Sequence, residues 1–172
     1  MDATHTDYLF VAGEIGIAFT GFAGLVTVLA GRLGPSGSSV DPSLARLSIV
    51  LTASLLLVMS ALLPYVLHQF LDPPVAWAVS AAGLSVALVL FTVQGMIRPG
   101  LEIRRSGRTF NAGLFYFTTS LSFVSAIVLL ASAFVAQSHT ASLYVLTIYV
   151  LVWVSASMLF RLFVLLAANR EI

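Results

Sequence analysis

The chain contains no cysteine and no lysine, and only 9% of its 172 residues are charged. Without cysteine there can be no disulfide, no thiolate zinc site, no iron–sulfur cluster and no lipid-anchored cysteine. So little charge excludes an ordinary soluble domain, in which about a quarter of the residues are charged. Hydrophobic residues make up 59% of the chain and come in long uncharged runs, which water does not tolerate and a bilayer requires. No basic segment is interleaved with aromatics, so nucleic acid is not an expected partner. The lack of lysine beside abundant Ala, Leu, Val and Arg suggests a GC-rich bacterial genome, and so a bacterial plasma membrane.

Catalytic chemistry is also sparse. His5, His68 and His139 are scattered over loops and span ends, and no two share a helix at ligand spacing. No intramembrane Ser–His or paired-Asp set supports proteolysis, no pair of facing histidines suits haem, and no glycine-rich phosphate loop follows a strand. An enzyme is not expected, and neither a cofactor nor a metal is implied.

What is present is a repeated apolar run. Five stretches, about 8–30, 47–71, 75–97, 112–136 and 142–168, reach the roughly 20 residues needed to cross a hydrocarbon core. They do not alternate as barrel strands do, and each must satisfy its own backbone, so helix is the expected state. The expected fold class is therefore all-α: one integral membrane domain, residues 1–172, built as a bundle of five transmembrane helices. The opening residues Met1 to Asp7 are acidic where a cleavable signal needs a basic region, so the first run is expected to be retained. Gly31 to Ser39 reads as a flexible loop leading to the helix-start signal Asp41-Pro42-Ser43, and Asp72-Pro73-Pro74 as a tight turn between antiparallel neighbours. Arg98 to Asn111 reads as the longest polar connection. Spans two and three, and spans four and five, then form two hairpins with Thr52-Ala53-Ser54-Leu55 and Thr118-Thr119-Ser120-Leu121 in similar places, which leaves a parallel repeat open.

All eight basic residues are arginines: Arg32, Arg46, Arg98, Arg104, Arg105, Arg108, Arg161 and Arg170. In the five-span pattern every one falls on the same side. Cytoplasmic loops hold Arg far better than translocated ones, so the amino terminus is expected outside and the carboxyl terminus inside.

Small residues recur at helical spacing, as helices associating in lipid require. Span three carries Ala76, Ser80, Gly83 and Ala87, ending at Gln94, and span four carries Thr118, Ser122, Ser125 and Ser132. Span one is denser, with Gly13, Gly16, Gly21 and Gly24 inside twelve residues. Each glycine costs up to about 1 kcal/mol of helix propensity, so a close neighbour is expected there, with Gly13, Gly16 and Gly24 as packing positions. That neighbour is either another span or the same helix of a second copy.

Glu14 is the one ionisable group expected well inside a span, and such groups usually face a cavity or a partner. Steps of four and three from it give Ala18, Gly21, Leu25, Val28 and Arg32, a single stripe at heptad spacing. Repeated around a symmetry axis, that stripe would make a cation-attracting ring, a hydrophobic collar and an inner charged ring. Five helices leave little room for a pore inside one subunit, so a conduction path is expected along the axis of a homo-oligomer. This layout is similar to that of calcium-release-activated channels, whose first helix lines a pore with a glutamate ring, although here the chain runs the opposite way and no sequence likeness is involved. Ala12-Gly13-Glu14-Ile15-Gly16 is similar to the first helix of small multidrug resistance transporters, a likeness that implies a lone membrane glutamate trading a proton for a cation. It covers five residues, and that family's four-span pattern and later motifs are absent. The leading expectation is an ion channel or ion pathway for a small cation or proton, with the lipid bilayer and further copies of the chain as partners. A non-transporting subunit or sensor that docks another protein through the glycine-rich face of the first helix is the competing expectation, and a proton-coupled carrier using Glu14 is a third. A purely structural Glu14, hydrogen-bonded to a Ser, Tyr or His68, remains open, as does His68 as its partner at the outer mouth.

Overall fold

A computed structural model of the chain describes the backbone of residues 3–33, 42–106, 112–135 and 139–168, and side-chain burial for 5–26, 49–94, 113, 116–135 and 139–160. It is all-helical: α1 (Ala3–Leu33), α2 (Pro42–Leu67), α3 (Pro73–Ser106), α4 (Ala112–Val135) and α5 (Thr140–Ala168). All five are long and apolar enough to cross a bilayer, through His5–Val26, Ile49–Leu67, Pro73–Gln94, Tyr116–Val135 and Thr140–Phe160.

Two helix ends differ from the hydropathy reading. α1 continues to Leu33, so Arg32 is still on the helix. α3 continues to Ser106, through Pro99 and Gly100 and into the stretch expected as a polar connection. Hydropathy marks where the bilayer stops, whereas Leu, Glu and Arg are good helix formers in water too, so a helix can outrun its apolar run. α2 stops at Leu67, because 68–71 form a turn before the Asp72-Pro73 step, where proline disfavours helical geometry in the residue preceding it. Asp72 then starts α3: its carbonyl accepts from the Ala76 amide at 2.9 Å, and Pro73 occupies a first-turn position where no amide donor is required.

The helices form an arc in the order α1–α2–α3–α4, and α5 fills its concave side, touching all four. The broadest contacts are α1 with α2 and α3 with α4; the α2–α3 contact across the tight turn is smaller. The face that lets α5 do this is written at three- and four-residue spacing: Thr140, Tyr144, Thr147, Ile148, Leu151, Val154 and Ser155 are all buried. The main apolar cluster gathers Leu9, Ala12, Leu57, Ala81, Leu84, Leu88, Leu129, Tyr144, Ile148 and Leu151, and a second, smaller one gathers Ala23, Val26 and Val50.

One polar tie is forced by the sequence. Pro64 lies inside α2 and has no amide hydrogen, so the Ser60 carbonyl loses its usual donor four residues on. A carbonyl left bare in a bilayer costs several kcal/mol. Tyr144 of α5 supplies the missing hydrogen bond: its hydroxyl donates to Ser60 O at 2.6 Å, with the tyrosine fully buried. Around it, Trp77 of α3 packs edge-on to the Tyr144 ring at 5.6 Å and to His5 at 6.3 Å, while His5 Nε2 lies 3.3 Å from Ser142 Oγ. The Thr140 hydroxyl donates to Ser132 O of α4 at 3.0 Å. These contacts link all five helices, from the end of the bundle that holds His5 and Trp77 down to the level of Ser60.

Candidate functional site

α1 has two opposed faces. At about 100° per residue, Leu9, Ala12, Gly13, Gly16 and Ala23 fall on one side, and all are buried. This side lies on α2 in antiparallel register. A Cβ added at Gly13 would meet Ala61 Cβ at 3.7 Å; one added at Gly16 would stand 2.8 Å from Val58 Cγ2 and 3.3 Å from Leu57 Cγ and Cδ2. Gly16 is therefore the point of closest approach, where even a methyl group requires its neighbours to move.

The stripe Glu14, Ala18, Gly21 and Leu25 lies on the other side, centred almost opposite Leu9 and Gly16. All four residues are exposed, Leu25 at 58%. Nothing lies within 4 Å of a Cβ built on Gly21 or on Gly24. The four glycines of α1 therefore divide: Gly13 and Gly16 meet α2, while Gly21 and Gly24 meet nothing that closely among the described residues. The side chains of Val28 and Arg32, the last two members of the stripe, lie outside the described residues.

Glu14 is nine residues past His5, so it sits about 14 Å down the helix axis from the aromatic end of the bundle. Its level on α2 is that of Ser60 and Ala61, well within the apolar window of that helix. It is thus an exposed carboxyl about midway along helices apolar and long enough to cross a bilayer, on the outer surface of the single chain. It shares its face with Gly21 and not with Gly13 or Gly16. Phe10, Val11 and Ile17 flank it, all exposed, and Phe10 packs on Tyr65 of α2 at 6.0 Å between ring centres.

His68 is in the turn after α2, part-buried, with its Nδ1 buried and unpartnered among the described residues; no hydrogen bond joins it to Glu14. By the antiparallel register of α1 and α2 it is level with Thr6, about two turns from Glu14 along the axis. The described residues contain no group of three or more His, Cys, Asp or Glu that could hold a metal ion. On span three, Ala76 and Ser80 are buried whereas Gly83 and Gln94 are exposed; on span four, Thr118, Ser122 and Ser132 are buried and Ser125 is part-buried. The Pro64–Tyr144 pairing is not visible in any stripe. Its signal in the sequence is a proline inside the last turns of an apolar span, which frees the carbonyl four residues earlier.

Five apolar spanning helices with this burial pattern fit a small multi-pass membrane protein. Comparison with protein families, with characterised proteins and with solved structures finds no match to the chain.

Proposed function

We infer that this membrane protein self-associates through the outward face of α1 and forms an ion pathway around Glu14. One observation carries the reading: a carboxyl group about midway along an apolar helix long enough to cross a bilayer is exposed on the surface of the single chain. Ionised residues at the centre of a span cost on the order of 2.5–3.5 kcal/mol even on the lenient insertion scale. A neighbouring copy removes that exposure, and the stripe below Glu14 favours close approach because Ala18 and Gly21 present almost no bulk. Around a rotation axis the stripe becomes a ring of carboxyls above small residues and a Leu25 collar, an arrangement that attracts cations and narrows to an apolar constriction. Each copy in such a ring contributes one Glu14 carboxyl, so the cation-attracting group is built by several copies together. We read the one-sided arginine distribution as setting the amino terminus outside, and the lysine-free composition as that of a bacterial plasma-membrane protein.

The competing reading, a non-transporting subunit that docks a different protein, uses the same face, since α2 already occupies Gly13 and Gly16. One experiment separates the readings. The native chain has no cysteine, so Ala18→Cys in nanodiscs carries a single thiol, expected to cross-link into a covalent dimer. In liposomes, wild-type protein is expected to pass small cations, and Glu14→Gln to abolish the flux or change its selectivity. A thiol that never cross-links in the membrane sinks self-association through this face. Absent flux, with Glu14→Gln altering only stability, selects the docking subunit, and flux driven only by a pH gradient selects a carrier.

A further inference from the structure

α5 is not enclosed on every side. α1 and α4 form the two ends of the arc around it, and no broad contact joins them. In that opening α5 shows an exposed stripe at heptad spacing: Leu146, Tyr149, Trp153 and Phe160. Two of the four carry hydrogen-bond donors, the Tyr149 hydroxyl and the Trp153 indole N–H. Trp153 is 57% exposed, and neither donor is hydrogen-bonded among the described residues. Lipid tails offer them no partner.

Direct contacts between α1 and α5, which run parallel, set their register. His5 Nε2 lies 3.3 Å from Ser142 Oγ, and Tyr8 packs edge-on to Tyr149 at 6.3 Å. Nine residues on from the first pair stand Glu14 and Leu151, and six on from the second stand Glu14 and Ser155. Counted from His5 and Thr140, where the two apolar stretches begin, Glu14 and Tyr149 are both the tenth residue. Glu14 is therefore level with residues 149–155, among which only Tyr149 and Trp153 are exposed. Seven residues further along, Gly21 is level with 156–162. Phe160, at 68%, is the exposed residue there among those described. A carboxyl thus stands at the depth of two donors, and a position without a side chain at the depth of a large ring.

Within one chain these groups do not meet. Glu14 lies about 120° around α1 from Tyr8, the residue that packs on α5. Two copies in one bilayer sit at the same depth, so groups that share a level in one chain can face each other between chains.

We propose that the exposed stripe of α5 is the seat for α1 of a neighbouring copy, with Tyr149 and Trp153 donating to the neighbour's Glu14 and Phe160 covering its Gly21. This rests on self-association through α1 and names the surface that α1 meets. An ionised carboxyl accepts several hydrogen bonds at once, and such bonds are roughly twice as strong as neutral ones. Gly21 lets the facing helix approach closely. Around α1, Gly21 lies between Glu14 and the α2-facing Gly13, whereas Ala18 lies on the side of Tyr8. The neighbour therefore arrives along the α2 flank and leaves Ala18 toward the axis. Because α1 of one copy meets α5 of the next, the contact is head-to-tail, the kind that generates rings.

Thiol cross-linking between two tagged populations of the full chain tests the seat, since the native chain has no cysteine. Copies bearing Gly21→Cys and copies bearing Phe160→Cys, co-expressed in one membrane, are expected to form a mixed covalent dimer. Gly21→Cys with Leu90→Cys, on the exposed face of α3, is expected to form none. Adding Trp153→Phe keeps an aromatic ring but removes the donor, and is expected to lower the mixed-dimer yield several-fold. If Gly21→Cys and Phe160→Cys copies stay unlinked while Ala18→Cys copies cross-link, the seat is overturned and self-association stands. If neither links, both fall. Linkage to Leu90→Cys as strong as to Phe160→Cys would mean random collision and also overturns the seat. A yield unchanged by Trp153→Phe overturns the indole–carboxyl bond.

Discussion

Gly16 and Gly21 are the same residue type five positions apart, and they answer to different neighbours. A Cβ at Gly16 runs into Val58 and Leu57, whereas one at Gly21 has nothing within 4 Å among the described residues. Gly16→Ile is therefore expected to overpack the α1–α2 seam and destabilise the protein by about 1–3 kcal/mol, read as a lower melting temperature in detergent. Gly21→Ile is expected to leave that melting temperature near wild type and to weaken Ala18→Cys cross-linking in the membrane. Equal melting losses in the two variants would mean that the two faces are not distinct. The glycine count was legible in the sequence, and so was the stripe from Glu14 to Leu25, because both follow from spacing along one helix. Which glycines meet a neighbouring span was not legible, since that depends on how α2 is rotated about its own axis, and a span apolar on every side carries little sign of its rotation.

At the scale of the element, Pro64 and Tyr144 act as one unit, although they lie on α2 and α5. Tyr144→Phe leaves the Ser60 carbonyl bare and is expected to cost about 1–3 kcal/mol. In a Pro64→Ala background the amide at position 64 can bond Ser60 O within the helix, so Tyr144→Phe is expected to cost much less there. A double-mutant cycle on thermal or denaturant unfolding measures the difference; additive losses would refute the compensation. Long periodic runs gave all five helices, since spanning a bilayer demands length and apolarity that few other segments have. Their ends were less legible: the apolar run of the third span stops near Ile97 in the sequence, whereas α3 stays helical to Ser106, because the backbone bonds within a helix do not depend on lipid.

For the whole molecule, the arginine pattern and the fold make a joint prediction about sidedness. Residues 5, 68–74 and 139–142 gather at one end of the bundle, and Arg32, Arg46, Arg98, Arg104, Arg105 and Arg161 lie on the stretches of the helices toward the other. In intact cells or sealed, right-side-out vesicles, an impermeant maleimide is expected to label Gln69→Cys from outside, and Ser106→Cys only after the membrane is opened. The reverse pattern would invert the topology without altering the bundle. The order of helices around the arc was not available from the sequence. The Asp72-Pro73-Pro74 turn marked α2 and α3 as antiparallel neighbours, and they do touch; that α1–α2 and α3–α4 pack more broadly was not legible, because a short turn fixes proximity at one end only.

The helix that completes the interior is α5, and it is synthesised after the four helices it binds. Until it leaves the ribosome, the Ser60 carbonyl has no tyrosine to cap it and the inner faces of α2 and α3 stay bare to lipid or to the insertion machinery. Assembly of this protein is therefore a late event in its biogenesis. Nascent chains stalled before Thr140 should be held by the translocon or a membrane chaperone and cleared by proteases, while full-length chains escape both.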